Sequence, residues 1–202
     1  MKLNKSFVVR RSLSGRDLLK SSMLLSEYIR HSIVDRNCYL WIAQREGRAK
    51  DGNDRTQVSL LRMLSLSGEN KDIRNSLLPL NISPVTISYE YDPCDGLKAF
   101  ELWTKASGKK YIKTPQDDLK NMVTGISGKK GQVNFHFSKS INEQLEKCSE
   151  SDPRKQSATI AEIIDDVVFS SYMLFDTHKT AYNLLTGTET FSIPDQKATE
   201  IR

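Results

Sequence analysis

Cys38-Tyr39-Leu40-Trp41-Ile42-Ala43 is a run of six residues without a charge, and Gln44-Arg45-Glu46-Gly47-Arg48 follows it at once. With nothing polar before Gln44, the run reads as a strand buried on both faces, as a parallel sheet requires. From Gln44 to Gln57 the chain then carries two glycines for tight turns and seven charged residues of both signs. This predicts an α/β fold with a mostly parallel central sheet flanked by helices. The charged loop leaves the carboxyl end of a core strand, where open α/β sheets hold their ligands. Arginines there suit a phosphate, because a planar guanidinium grips two oxygens at once, and Glu46 is placed to steady one of them. A solvated surface loop is the alternative reading of the same turn.

Working back from that strand, Ser14 is an N-cap candidate with Asp17 three residues on. The helix it opens places Leu18, Leu25, Ile29 and Ile33 on one face and Arg16, Lys20, Glu27 and Arg30 opposite. Before it, Asn4 to Arg11 reads as a short strand ending in two arginines, or as an edge strand with those arginines in solvent. Strand, helix and strand together make a βαβ unit with a right-handed crossover.

Working forward, Leu60, Leu61, Met63, Leu64 and Leu66 make a short apolar helix closed by Ser67-Gly68, a core stripe rather than a ligand box. Leu80 to Tyr91 is the next strand, with Pro84 at its start or at a bulge because proline donates nothing to a ladder. Tyr91 to Gly96 is a turn, and Cys94 within it has no histidine near in sequence to activate it. Lys98 to Thr114 carries Trp103 with Lys105, Lys109, Lys110 and Lys113, and reads either as a flap touching lipid headgroups or as a solvated face. Pro115 to Ile126 is a helix ending near Gly128. Gly131 to Phe137 alternates as a half-buried strand, with Val133, Phe135 and Phe137 inward and His136 on the other face. Asp152-Pro153 opens a long helix striped by Ile160, Ile163, Ile164, Val167, Val168, Leu174 and Phe175, with Glu162, Asp165 and Asp166 as its wet side. Tyr182 to Leu185 adds a last helical turn, and a tail begins at Phe191.

The 202 residues are enough to bury a good core, and 38% hydrophobic with 27% charged residues is the composition of a globular protein. A net charge of +5 and a pI near 9.0 favour anionic partners: a phospholipid surface, a phosphorylated substrate or a nucleic acid. Three scattered cysteines with no C-x-x-C pair and no histidine at ligand spacing read as reduced thiols in a cytoplasmic compartment, with no metal site. No segment approaches the ~20 apolar residues that span a bilayer, and no secretory leader opens the chain, so membrane contact is read as peripheral.

Glu46-Gly47 followed by Arg48, Lys50, Asp51 and Gly52 resembles the E-G-x-R-S-x-D-G block of the glycerophospholipid acyltransferases. Trp41-Ile42-Ala43-Gln44-Arg45-Glu46-Gly47-Arg48-Ala49-Lys50-Asp51 and Ser88-Tyr89-Glu90-Tyr91-Asp92-Pro93-Cys94-Asp95 resemble bacterial members almost verbatim. The resemblance covers roughly Asn4 to Ile141. Ala49 and Lys50 leave the loop one residue shorter than the commonest form, and Ser83 stands where an aliphatic residue is commoner. The family moves a fatty acyl group from an acyl thioester, on coenzyme A or acyl carrier protein, to the hydroxyl of glycerol 3-phosphate or lysophosphatidic acid. What it implies for the site is Phe7 and Arg10 on the glycerol phosphate, Arg48 with Glu46 and Gly47 on the acceptor phosphate, Arg45 as a second cation, and Pro84 on the acyl-chain side. It implies no bound cofactor beyond the acyl thioester co-substrate, and a place at the inner face of the cell membrane.

In this family the proton is taken by the histidine of a His-x4-Asp motif. Five residues after His31, His136 and His178 stand Arg36, Ile141 and Asn183, so none of the three histidines fits. His31 has Asp35 four residues on, near a helix end rather than in the motif. The resemblance therefore implies that the catalytic pair lies upstream of Met1 and that this chain binds without turning over. Residues 1–150 are read as the substrate-binding part and 151–202 as a helical extension. Two other classes stay open: a non-catalytic module docking on anionic membrane through 98–114, and a nucleic-acid binder, which lacks the basic-aromatic stripe expected of one.

Overall fold

The computed structural model describes residues 13–45, 52–68 and 72–193. Over these residues the elements are α1 (Gly15–Arg30, continued by a π-helical turn His31–Asp35), α2 (Val58–Ser65), α3 (Ile73–Leu77, continued by a 3-10 turn Leu78–Leu80), β1 (Val85–Tyr89), α4 (Asp95–Ala106), α5 (Pro115–Ser127), β2 (Val133–Phe137), α6 (Asn142–Lys147), α7 (Pro153–Ser170) and α8 (Asp176–Thr186). Among the described residues the only strands are β1 and β2, which pair antiparallel with Val85 opposite Phe137 and Ile87 opposite Phe135. The α/β fold with a mostly parallel central sheet is thereby overturned, and helices dominate instead.

The error lies in the run that prompted it. Cys38 to Ala43 has no regular structure; Tyr39 is fully exposed and Trp41 is 65% exposed. An apolar stretch becomes a central strand only where neighbouring backbones take its N–H and C=O groups on both edges. None does so among the described residues; Leu40 alone packs partly on a core, and without that strand there is no βαβ unit. The expected strand at Asn4 to Arg11 lies outside the described residues.

The chain divides into two compact units. The first holds α1, α2, α3, α6 and α7 as far as Val168. Its core joins Ile29 of α1, Leu61 and Leu64 of α2, Ile73 and Leu77 of α3, Leu145 of α6 and Ile160 and Ile164 of α7. Three of the four residues assigned to the inner face of α1 pack there (Leu25, Ile29 and Ile33), whereas Leu18 is exposed. The helices approach closely through small residues: Ser26 Oγ donates to the Leu64 carbonyl at 3.0 Å and accepts from the Ser67 amide at 3.1 Å. A Cβ on Gly68 would lie 2.4 Å from Ser76 Cβ, so only glycine allows that approach. Arg30, read as solvated, instead donates to Ser67 Oγ at 3.1 Å and to the Ser76 carbonyl.

Polar side chains close the helix ends of this unit, one of them buried. Asp72 caps α3 by accepting from the Asn75 amide. Gln156, 2% exposed on α7, accepts from the amides of Ile73 and Arg74 at 2.9 and 3.2 Å and donates to the Glu150 carbonyl at 3.0 Å. It thus satisfies first-turn amides of a different helix. Asp152 accepts from the Arg154 amide at 2.9 Å, which starts α7 where the Asp-Pro pair predicts.

The second unit holds β1, α4, α5, β2 and α8. Pro84 sits just before β1, as its missing N–H requires. Gly131 takes φ +61° beside Glu90 and Tyr91, and a Cβ there would meet the Glu90 carboxylate at 2.4 Å. Val133, Phe135 and Phe137 were expected inward; all three are exposed, Phe137 at 70%. The inner face of β1 is polar: Thr86 and Ser88 are buried, and Ser88 Oγ accepts from the Met173 amide at 2.9 Å. Met173 also meets the other strand, its sulfur accepting from Asn134 Nδ2 at 3.3 Å. Burial raises the Tyr172 phenol above its ordinary range, and Asp92 adds to the shift. Helix α8 is longer than the single turn anticipated, ending in an αL cap at Gly187.

Two predictions follow from this packing. Leu145→Ala should cost about 2–5 kcal/mol in chemical denaturation, whereas Phe137→Ala should change stability by less than about 0.5 kcal/mol; equal losses would show Phe137 to be interior. At the start of α5, Thr114 and Asp117 form a reciprocal capping box. The Thr114 backbone N–H, then its hydroxyl, hold the Asp117 carboxyl below its ordinary value. A lowered folded-state value means that stabilisation is present above the unfolded value near 3.8 and fades as pH falls through the folded one. Protection of α5 amides from exchange should therefore drop on acidification below pH ~4, and Asp117→Asn should remove that dependence.

Candidate functional site

The charged turn after Ala43 is closed at its neck. The Gln57 amide donates to the Gln44 carbonyl at 2.9 Å, and Gln44 Nε2 donates to the Asp54 carbonyl. Arg45 stands at this neck, its Nε 3.5 Å from Asp54 Oδ1, with about a third of its side chain exposed. A neck closed in this way is a feature of compact surface loops that carry function.

Asp165 of α7 pins the far end of the turn. Its side chain is 5% exposed; Oδ1 accepts from the Thr56 amide at 2.7 Å and Oδ2 lies 3.9 Å from Arg55 Nη1. A buried carboxylate is tolerable only with such partners, because desolvation otherwise costs several kcal/mol. The helix-wheel reading put Asp165 on the wet side of α7 with Glu162 and Asp166; those two are exposed and Asp165 is not. Ala161, one turn earlier on α7, is buried as well.

Of the residues predicted to bind substrate, the structure places two. Arg45 is at the neck just described. Pro84 is buried, and its carbonyl accepts from the Ser138 amide at 3.0 Å, so it lies in backbone packing ahead of β1 and lines no described cavity. Phe7, Arg10, Glu46, Gly47 and Arg48 fall outside the described residues. An open groove of about 440 Å³ in the first unit is lined by Lys147, Cys148, Glu150, Thr159 and Ile163 among others, and contains none of the predicted residues.

His31 and Asp35 share a hydrogen bond of 2.6 Å across the π turn, Nδ1 to Oδ2. That spacing orients an imidazole as a base would need, but both side chains are more than half exposed and stand in no concavity. His178 Nε2 is 3.0 Å from the Glu90 carbonyl, a structural contact. Cys94 is buried, with Sγ 3.4 Å from the Asn121 carbonyl. Among the described residues no group of three or more His, Cys, Asp or Glu is placed to hold a metal ion, and no helix is long and apolar enough to cross a membrane.

Comparison of the chain with family models, curated proteins and solved structures returns no match in any of the three.

Removing the pin should free the loop. Asp165→Ala is predicted to speed hydrogen exchange at the Thr56 amide by at least about tenfold, the loss of one charge-assisted bond, and Asp165→Asn by less. Unchanged exchange in Asp165→Ala would show that the neck is held without α7.

Proposed function

We propose that this chain supplies the acceptor-binding part of a glycerophospholipid acyl transfer. A fatty acyl group leaves an acyl thioester, on coenzyme A or acyl carrier protein, for the hydroxyl of a glycerophosphate or lysophospholipid at an anionic membrane surface. The observation that carries the reading is the basic loop itself. Its sequence resembles the phosphate-binding block of that family, and its neck is closed by the Gln57 to Gln44 hydrogen bond with Arg45 presented at the rim. Arginine offers several N–H donors in one plane, which suits a phosphate monoester better than a lysine point charge does.

In this reading Arg45 and Arg48 take the acceptor phosphate, and Glu46 and Gly47 shape the turn. Phe7 and Arg10 add contacts to the glycerol phosphate, and Pro84 belongs to the acyl-chain side. Pro84 is the weakest of these, since its place is already taken by backbone packing. Transfer also needs a base for the acceptor hydroxyl. No histidine of this chain has an aspartate five residues on, so the chain is assigned the binding role and not the proton transfer.

Calorimetric titration with lysophosphatidic acid below its micelle concentration tests the assignment. Arg48→Ala and Arg45→Ala should each weaken binding roughly 10- to 100-fold, the value of one charge-assisted contact. Binding insensitive to both would remove the loop from the site. Robust turnover of an acyl thioester by this chain would show that its base is among His31, His136 and His178.

A further inference from the structure

The second unit is built inside out. Its only buried apolar side chains among the described residues are Cys94 and Phe175, while the inward positions of three elements are polar. Helix α4 buries Glu101 and exposes Phe100 and Trp103. Helix α5 has no fully buried residue; Asp117, Asn121 and Thr124 are its more sheltered side, and Asn121 meets Cys94 through its carbonyl. On its opposite side Leu119, Met122, Val123 and Ile126 are exposed at i, i+3, i+4 and i+7, Ile126 at 75%. An unbroken apolar stripe over two turns of helix, turned to solvent, marks a surface that something covers.

The charge around the stripe selects the occupant. From Leu102 to Gln116 the chain carries Lys105, Lys109, Lys110 and Lys113 and no acidic residue. Two of these lysines are paired, Lys105 with Glu101 at 2.8 Å and Lys113 with Asp118, and Asp117 is held in the capping box. At the end of α4, Phe100 packs against Trp103 and against Tyr111 of the following turn with ring centroids 6.2 and 6.5 Å apart, and Lys109 Nζ stands 6.0 Å over the Trp103 ring. Trp103 is 60% exposed and Ile112 70%. Aromatic rings set among lysines beside an outward apolar helix face are the composition of an interfacial membrane anchor: the rings take the headgroup level, the lysines the anionic phosphates, and the stripe the acyl boundary.

We propose that α5, the turn before it and the end of α4 form a shallow docking face for an anionic lipid bilayer, with Met122 and Ile126 entering the acyl boundary and Trp103 lying at the headgroups. The inference stands on this surface alone and holds whether or not the chain binds an acyl acceptor. It also differs from docking through lysines only, since it requires apolar insertion.

The test uses the full chain with Trp41→Phe, which leaves Trp103 as the single tryptophan. On addition of vesicles of phosphatidylcholine mixed with phosphatidylglycerol, Trp103 emission should move to shorter wavelength and be quenched by bromine-labelled acyl chains. Vesicles of phosphatidylcholine alone should bind about tenfold less or weaker. Met122→Ser with Ile126→Ser should lower cosedimentation with the mixed vesicles at least about tenfold, while Leu185→Ser, exposed on α8, should leave it unchanged. Absence of a Trp103 shift, vesicle binding indifferent to the Met122/Ile126 pair, or equal binding to neutral vesicles would overturn the proposal. A concentration-dependent dimer that shelters Trp103 without lipid would also overturn it, assigning the face to a second copy of the chain. The Trp103 readout needs no change on α5, so a folding defect in the serine pair leaves the proposal testable.

Discussion

A carboxylate buried in a helix has to be answered by donors, and in the first unit that requirement organises the candidate site. Asp165 projects from α7 into a dry position, where the Thr56 amide and the Arg55 guanidinium meet it. Because α7 is also the helix that carries Ile160 and Ile164 into the core, the end of the charged turn is tied to the most rigid part of the unit. The neck bond between Gln57 and Gln44 then transmits that position to Arg45. These contacts order the two ends of the turn during folding.

The same device recurs through the first unit. Gln156 satisfies the first amides of α3 from a neighbouring helix, and Ser26 and Arg30 satisfy the end of α2 and its following turn from α1. Short helices such as α2 and α3 have little stability alone, because nucleation costs several fixed residues for each first bond. They persist here by burying Leu61, Leu64, Ile73 and Leu77 together and by borrowing caps from longer neighbours. The unit is therefore a set of helices each incomplete by itself, closed by specific polar contacts as much as by its apolar interior.

The second unit shows the opposite economy. Its sheet has two strands, and an isolated pair of strands is at best marginal in water. Polar side chains lie inward and aromatic and aliphatic ones outward on α4, α5 and β2. An arrangement that leaves Phe135, Phe137, Trp103 and Ile126 in water has given up most of the hydrophobic stabilisation those residues carry. The surface makes physical sense when its environment includes a second apolar phase.

Local chemistry was legible wherever one residue type forces one geometry. Pro84 stops a ladder from starting earlier, Asp152-Pro153 starts α7, Pro115 starts α5, and the Leu/Met stripe buries α2. Each of these depends on atoms within about one turn of chain. What the sequence could not decide was which side faces inward and which stretch finds a partner. Cys38 to Ala43 has the composition of a central strand yet lacks the neighbouring backbones that would make it one, and β2 alternates as expected while presenting its aromatic face outward. Asp165 looked solvated on a wheel that knows only its own helix, yet it is buried and meets the Thr56 amide from a distant part of the chain. Periodicity is a property of one element, whereas burial is a property of two, and only the tertiary structure supplies the second.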